Sequence, residues 1–455
     1  MSGTAVTSGA ISPVAGMQTA LRTPVLRGRK TRPFLVPVFL ISLALPLVID
    51  VAGLRLSPYR IILLTMFLPS LIAYFFGSAG RMRTADFVVF LIAAWSALSF
   101  GMVHGVEGIE SAGMVLIETL TPYLLARQFI RTPGHFHAMV KVLVGIVLCL
   151  LPFAVFEALT GRNLILALFD LAGRVYPDVD KPLRLELDRV QGPFEHPILF
   201  GVICGSALAL SFYLLNPTFR LVRTGIIFLV AFLSLSSGPL AALAAQAGLI
   251  SWDRILRRWR FRWYAMILVA VSGYIVVDLI SNRTPPEVFI SLAAFDPETA
   301  YNRLLIWEWG WVNIASNPWF GLGHGDWQRL WFMTDSVDMF WMQRAMVHGL
   351  PVGLGFQFAL LCVIVPLIRC RSLPAYADAC RTALLICLAG FYIAGMTVHF
   401  LNATFVLFMF VLGSGAWMLD GPRAAQPGSS GRAHRGQVAE GLLARPAHSR
   451  GAMES

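Results

Sequence analysis

Twelve apolar runs dominate the pattern of hydrophobic and polar positions along the chain. Each approaches the roughly 20 apolar residues that a bilayer-spanning helix needs. They lie near 34–51, 58–76, 86–103, 112–127, 138–158, 197–215, 221–236, 238–252, 263–281, 345–368, 382–399 and 401–419. Pro46 and Pro69 interrupt two runs, and Gly238-Pro239 barely separates two others. The pattern predicts an all-α polytopic membrane protein of about twelve transmembrane helices, with a lower limit near ten.

Composition agrees with this fold class. Of 455 residues, 57% are hydrophobic and 13% are charged, whereas soluble domains have about 25% charged residues. The net charge of +11 could indicate a nucleic-acid partner. The cations instead gather in short loops, most clearly in "WDRILRRWRFRW", as expected for loops on the cytoplasmic side. We therefore expect no nucleic-acid partner.

The orientation follows from the loops that carry arginine. With the N-terminus inside, the cytoplasmic connections hold Arg81, Arg83, Arg127, Arg131, Arg220, Arg223, Arg369, Arg371, Arg381 and the five arginines of 254–262. The opposite short loops, around 104–111 and 400, contain no Lys or Arg. Since basic residues are enriched in cytoplasmic loops, both termini are predicted to be cytoplasmic. Arg55 and Arg60 are the exception to this rule.

Two polar tails flank the apolar region. Residues 1–33 end in "RGRKTR" and are predicted to form a disordered basic cytoplasmic arm near the anionic inner leaflet. Residues 421–455 contain too few large apolar residues to fold alone, which predicts a disordered cytoplasmic tail. The transmembrane domain is therefore predicted to be 34–420.

Two long loops, 159–196 and 282–344, are predicted to lie outside. Long loops inside a compact domain are usually functional. The first loop ends in "RVQGPFEHPILFGV", where Arg189, Glu195 and His196 stand at the edge of an apolar run. The position of these ionisable groups predicts a site at the external membrane surface.

The second loop holds seven of the twelve tryptophans and a predicted amphipathic helix. Asp296 is a suitable N-cap, Pro297 fits the first turn, and Asn317-Pro318 ends the helix. An apolar face suited to the headgroup layer is formed by Leu304, Trp307, Trp311 and Ile314. Arg303 near the N-terminal end would attract an anion, although an interfacial helix with an ordinary arginine fits the pattern equally well.

Two further motifs follow this helix. In "NPWFGLGHGDW", the glycines Gly321, Gly323 and Gly325 indicate a tight turn that brings the backbone close to something flat. In "MQRAMVHGLPVGLGFQFALL", His348 lies just inside the next predicted span and Arg344 one turn earlier. Such a histidine can be a packing residue, but ionisable residues within a membrane are functional candidates.

These motifs together resemble the O-antigen ligase and polymerase superfamily over roughly 185–360. Arg189 before "GPFEHPILFG" is similar to the family's Arg-x-x-Gly-x-Phe-x-x-Pro stretch. "NRLLIWEWGWVNIASNPWFGLGHGDW" is similar to its Arg-x-x-x-Trp, Asn-Pro and Gly-x-Gly steps, and a His then opens a Gly-rich span. The chain departs from the family where Gly349 follows His348, where Glu195-His196-Pro197 replaces Pro-Asn, and at "LSSGP". These departures concern the acceptor more than the reaction class.

The resemblance implies a GT-C-like fold and a bacterial inner-membrane glycosyltransferase whose catalytic domain is 34–420. Such an enzyme transfers glycan from an undecaprenyl-diphosphate carrier to a sugar hydroxyl on the periplasmic face, with neither metal nor cofactor. The implied partners are the lipid-linked donor, a glycan or lipid-linked acceptor, and membrane lipids.

Roles for individual residues follow from this chemistry. A diphosphate leaving group needs cations as charge develops, which suggests Arg189 and Arg303. The acceptor hydroxyl needs a base with a pKa near neutral pH, which suggests His348, with His196 as the competing base. Further substrate-binding candidates are Glu195, His196 and Arg344.

A secondary transporter or polysaccharide exporter is the alternative class, because it would have a similar number of spans. Transporters place polar groups near the bilayer midplane, whereas here Glu118 is the main ionisable residue at mid-span. The motifs leave open whether the enzyme is a ligase or a polymerase. They also leave open the sugar, the linkage, the oligomeric state, and whether the product is capsule, exopolysaccharide or lipopolysaccharide.

Overall fold

The computed structural model describes residues 34–420, except 52–53, 180, 182, 293–296 and 371–372. Side chains at 50, 51, 54 and 55 are also outside the description. The predicted N-terminal arm and C-terminal tail therefore lie outside the described residues, as does the predicted Asp296 cap.

The first half of the described chain is helical apart from one small hairpin. Its helices are α1 (Leu35–Leu43), α2 (Pro58–Phe75), α3 (Thr84–His104), α4 (Ile109–Phe129), α5 (Pro133–Thr160), α6 (Leu164–Asp170) and α7 (Pro197–Leu214). Between α1 and α2, strands β1 (Ile49–Val51) and β2 (Leu54–Leu56) pair antiparallel, with Ile49 opposite Leu56.

The second half is helical in the same way. Its helices are α8 (Arg220–Phe232), α9 (Ser237–Ile255), α10 (Arg262–Ile280), α11 (Pro285–Leu292), α12 (Pro297–Ser316), α13 (Phe340–His348), α14 (Leu350–Arg369), α15 (Ala375–Gly395) and α16 (Asn402–Gly413).

The predicted fold class is confirmed, because each predicted apolar run overlaps at least one of these helices. Within the described residues, eight helical stretches have the length and apolar composition to cross a membrane, and one of them contains both α3 and α4. Helices α1, α8 and α16 are shorter than a full span. The number of spans therefore stays a prediction.

One boundary prediction was wrong. The run 345–368 was predicted as a single span that enclosed His348, but the chain breaks between α13 and α14 at Gly349. Gly349 has φ 86°, a left-handed conformation that glycine adopts without steric cost. A Cβ there would also lie 2.1 Å from the Trp319 carbonyl oxygen. His348 therefore precedes the spanning helix α14 instead of lying inside it.

Helices α7 and α16 are the most enclosed parts of the bundle. Of the α7 stretch, 89% is buried, and of the stretch that begins with α16, 83% is buried, whereas α10 has no buried residue. The N-terminal ends of α2, α7 and α16 meet through side-chain contacts of Arg60, Glu195 and Asn402. We call this end of the bundle the site end.

A buried ion pair joins α2, α3 and α4 away from the site end. Asp86, in the first turn of α3, accepts bonds from Arg127 Nε and Nη2 at 2.8 Å each. The hydroxyls of Tyr74 and Tyr123 also donate to this carboxylate. A buried charge is tolerated when it is paired and hydrogen-bonded, so this network is a structural link between the three helices.

The second long loop has a small core of its own. Helix α12 begins at Pro297 and ends just before Asn317-Pro318, as predicted. Within the predicted apolar face, Trp311 is 47% exposed and Ile314 is buried, and the position of this face in the headgroup layer stays a prediction. Leu305, Ile306 and Ile314 are buried together with residues of α13. This packing holds α12, which carries Arg303, against α13.

Candidate functional site

Arg189 and Arg303 converge on neighbouring serines at the start of α9. Arg189 Nη2 donates to Ser236 Oγ at 2.7 Å, and Arg303 Nη1 donates to Ser237 Oγ at 3.1 Å. The two arginines are 7% and 5% exposed. Two motifs that are more than a hundred residues apart in sequence are thus brought to one turn.

The turn between α8 and α9 presents its carbonyl groups to arginines. Leu235 has φ 44°, and its carbonyl accepts a bond from Arg184 Nη1 at 2.8 Å. The Leu233 carbonyl accepts the backbone N–H of Val190 at 3.0 Å, which fixes the segment that carries Arg189. Arg184, Arg189 and Arg303 therefore surround the N-terminal end of α9; we call these three residues the arginine cluster.

The arginine cluster brings three positive charges together, and two of the three side chains are buried. Burial, together with the like charge of Arg184, lowers the pKa of Arg189 to about 10. Burial lowers the pKa of Arg303 as well, although the carboxylate of Asp338 opposes the shift. Both side chains remain charged at neutral pH. An anion beside them would gain charge-assisted hydrogen bonds and a favourable helix dipole.

Glu195 belongs to a different network at the site end. Asn402 Nδ2 donates to both carboxylate oxygens of Glu195 at 2.6 Å each. Arg60 Nη2 donates to Asn402 Oδ1 at 2.7 Å, and Arg60 Nε donates to Glu118 at 2.8 Å. Burial raises the pKa of Glu195, and the Asn402 and Arg60 contacts oppose this shift. The result is a continuous chain of bonds from Glu118 to Glu195.

Arg60 and Asn402 are candidate residues that the motifs did not indicate. For Arg60 a signal existed, because it was an exception to the distribution of basic residues between the two faces. For Asn402 the signal was weak, since an Asn at the start of an apolar run is common. Its φ of 44° becomes visible only in the structure.

His196 caps helix α7 with its ring. Its Nδ1 accepts the backbone N–H of Ile198 at 3.2 Å and so caps α7. Burial, with the nearby charges of Arg189 and Lys181, lowers its pKa to about 4. His196 is therefore neutral at pH 7 and acts as a helix cap.

His348 lies against α3, where it is 1% exposed. Its Nδ1 is 2.9 Å from Ser99 Oγ, and the Ser99 hydroxyl donates its proton to the Ser96 carbonyl at 2.8 Å. This arrangement favours the tautomer in which Nδ1 of His348 carries the proton and Ser99 Oγ accepts it. This tautomer leaves a lone pair on Nε2. Burial lowers the pKa of His348 well below its ordinary value, which keeps that lone pair available.

The predicted glycine turn lies beside His348 and approaches a flat ring. Gly321 and Gly323 have φ 68° and 59°. A Cβ on Gly323 would be 2.2 Å from His104 Nε2, and one on Gly321 would be 2.5 Å from the Met346 carbonyl oxygen. The backbone N–H of His324 donates to His104 Nε2 at 2.7 Å. The turn thus covers one side of His348.

Arg344 contacts two aromatic rings, one of which belongs to α16 at the site end. Its guanidinium stands over the rings of Phe340 and Phe405, at 5.2 and 4.3 Å from their centroids. Phe405 is in the first turn of α16, which begins at Asn402. His348 is one helical turn further along α13, and the charge of Arg344 helps to lower its pKa.

The predicted site residues thus fall into three groups. Arg189 and Arg303 meet at the start of α9, Glu195 lines a separate network, and His348 stands near the end of α3. His348 contacts Ser99 of α3, whereas Arg189 and Arg303 bind Ser236 and Ser237.

The fold and these groups define a polytopic α-helical membrane protein in which Arg189 and Arg303 meet at the start of α9. Residues 222–356 match the family model described as O-antigen ligase. This segment contains Arg303, Arg344, His348 and the serines of α9, whereas Arg189, Glu195 and His196 precede it. The match over this segment confirms the resemblance to the O-antigen ligase and polymerase superfamily. No curated protein matches the chain.

Proposed function

We propose that the protein is a glycosyltransferase of cell-surface polysaccharide assembly. It transfers or polymerises glycan from an undecaprenyl-diphosphate-linked donor to a sugar hydroxyl on the periplasmic face of the inner membrane. The convergence of Arg189 and Arg303 on Ser236 and Ser237 carries this proposal. A pair of buried guanidinium groups at a helix N-terminus suits a diphosphate, because each guanidinium can bind two oxygens at once.

In the proposed reaction, the acceptor hydroxyl oxygen forms a bond to the anomeric carbon as the bond from that carbon to the diphosphate oxygen breaks. The electron pair leaves with undecaprenyl diphosphate, whose growing charge is stabilised by Arg189 and Arg303. The proton of the hydroxyl passes to Nε2 of His348. Arginine charge and one histidine are sufficient for these steps, so the proposal includes neither metal nor cofactor.

The glycans of a deletion strain test this function. If the protein is a polymerase, the strain should accumulate single repeats on the lipid carrier; if it is a ligase, the strain should accumulate long lipid-linked chains. Both species can be measured by mass spectrometry of the extracted lipid fraction, with a complemented strain as the control. An unchanged lipid-linked pool together with normal surface polysaccharide would contradict the proposal.

The orientation of the site can be tested by cysteine labelling. We expect Thr334→Cys, in the exposed second loop, to react with an impermeant maleimide added to spheroplasts. Arg258→Cys, in the exposed connection between α9 and α10, should react only after permeabilisation. Both substitutions are made in a background without the six native cysteines. Equal labelling of both positions in intact spheroplasts would overturn the periplasmic assignment.

A further inference from the structure

A cavity of about 470 Å³ opens where the N-terminal ends of α2, α7 and α16 meet. Its polar lining consists of Ser57, Arg60, Arg174, Tyr176, Glu195 and Asn402. Small-molecule sites commonly have volumes of about 300–1,000 Å³. The cavity is therefore large enough for a small ligand or for one segment of a longer one. We call it the Glu195 cavity.

Side chains of both charges line the Glu195 cavity. Arg60 and Arg174 lie there together with Glu195, and Arg60 pairs with Glu118 at 2.8 Å. The arginine cluster, by contrast, brings three cations together at the start of α9. A phosphate is therefore favoured at the arginine cluster, and an uncharged ligand is favoured in the Glu195 cavity.

The lining presents both donors and acceptors at short intervals. The Ser57 and Tyr176 hydroxyls are 2.9 Å apart, and each hydroxyl can both donate and accept. An ionised carboxylate offers about four lone-pair sites, and Asn402 uses two of those on Glu195. Glu195 therefore keeps acceptor capacity for a further hydroxyl. Alternating donors and acceptors suit a polyhydroxylated ring.

The Glu195 carboxylate, which is the hydrogen-bond acceptor of this cavity, is held in place before any ligand binds. Asn402 fixes Glu195, Arg60 fixes Asn402, and Glu118 fixes Arg60, through four different segments of the bundle. A preorganised polar site loses less entropy when it binds a ligand.

The Glu195 cavity also lies within reach of the arginine cluster. Glu195 follows Arg189 by six residues, and six extended residues span at most about 20 Å. Gly192, with φ 57°, turns the chain between them and shortens that distance. The start of α9 also packs on the segment leading to α16, since a Cβ on Gly238 would be 2.5 Å from Val398. A glycan attached to a diphosphate could occupy both places.

We propose that the Glu195 cavity binds an uncharged sugar ring of the substrate glycans, with Glu195 and Asn402 recognising its hydroxyl groups. This proposal rests on the proposed function and names a second substrate subsite for it. The ring could belong to the donor or to the acceptor, because both carry the same hydroxyl chemistry.

Binding measurements on the purified full-length protein in nanodiscs test the proposal. The probes are inorganic pyrophosphate and neutral oligosaccharides released by mild acid from the surface polysaccharide of the producing strain. Glu195→Gln removes the charged hydrogen-bond acceptor. Asn402→Gly removes the side-chain amide, and glycine can adopt the left-handed backbone conformation of this position. We expect both variants to weaken oligosaccharide binding by roughly tenfold to a hundredfold and to leave pyrophosphate binding unchanged.

Glu186→Gln is the matched control, because Glu186 is an exposed carboxylate in the same loop. Oligosaccharide binding that is absent from the wild type, or equal in Glu195→Gln and Glu186→Gln, would overturn the cavity proposal. A different result would contradict the proposed function: Arg303→Ala would leave pyrophosphate binding unchanged. In turnover assays, a raised KM for the acceptor assigns the sugar ring to the acceptor, and a raised KM for the donor assigns it to the donor.

Discussion

Replacing Arg303 by alanine is expected to lower turnover by about two to three orders of magnitude, the usual cost of removing one donor that stabilises developing charge. Arg303→Lys should recover little of this loss, because lysine keeps the charge but lacks the planar fork that binds two phosphate oxygens. Arg189→Ala should have a similar effect, since Arg189 binds the neighbouring serine. Turnover is measured with purified protein and lipid-linked donor.

Arg257→Ala is the control for these variants. Arg257 is exposed and follows the C-terminal end of α9. The 19 residues of α9 separate it from Ser237 by about 28 Å. The Arg257→Ala substitution should therefore leave turnover nearly unchanged. A fully active Arg303→Ala protein would show that the donor diphosphate does not bind at the arginine cluster.

Helix positions could be predicted from the sequence because they depend on local pattern. The start of α12 at Pro297 and its end before Asn317 follow from proline and capping preferences within a few residues. The apolar runs predicted the fold class for the same reason. Local pattern failed at Gly349, because the break there depends on the close approach of Trp319 from another segment.

The candidate site could be predicted only in part, because its contacts are long-range. The motifs identified Arg189 and Arg303, but their meeting at Ser236 and Ser237 depends on the packing of α9. Arg60 and Asn402 are 342 positions apart in sequence, and neither belongs to a motif. The helix cap formed by His196 could not be predicted, since a histidine next to a carboxylate gives no sign that its ring will accept a backbone N–H.

His348→Ala is expected to lower turnover by about two to four orders of magnitude, the usual contribution of general-base catalysis. Pyrophosphate binding should be unchanged, because the described contacts of His348 are with α3 and not with the arginine cluster. His196→Ala tests the competing base. We expect it to lower stability through loss of the α7 cap and to retain most of the turnover. If His196→Ala abolishes turnover and His348→Ala does not, the two roles must be exchanged.

The pH dependence of turnover provides an independent test of His348. A general base is active in its neutral form, so activity should fall as the pH decreases through the pKa of the base. Burial, and then the charge of Arg344, lower the pKa of His348 well below 6.5. The acidic limb of kcat/KM should therefore lie below the ordinary histidine range, and it should disappear in His348→Gln.

Ser99 offers a last and more selective test, because it acts on the reaction only through His348. Ser99→Ala removes the acceptor for the Nδ1 proton, so the imidazole can adopt the other tautomer or rotate. We expect kcat to fall about tenfold or more and the acidic limb to move, while KM for the donor stays unchanged. Ser96→Ala is the matched control, since it removes a second buried serine of α3 but keeps the carbonyl that accepts from Ser99. If the two variants lose activity equally and share one pH profile, the loss reflects helix packing, and Ser99 does not position the base.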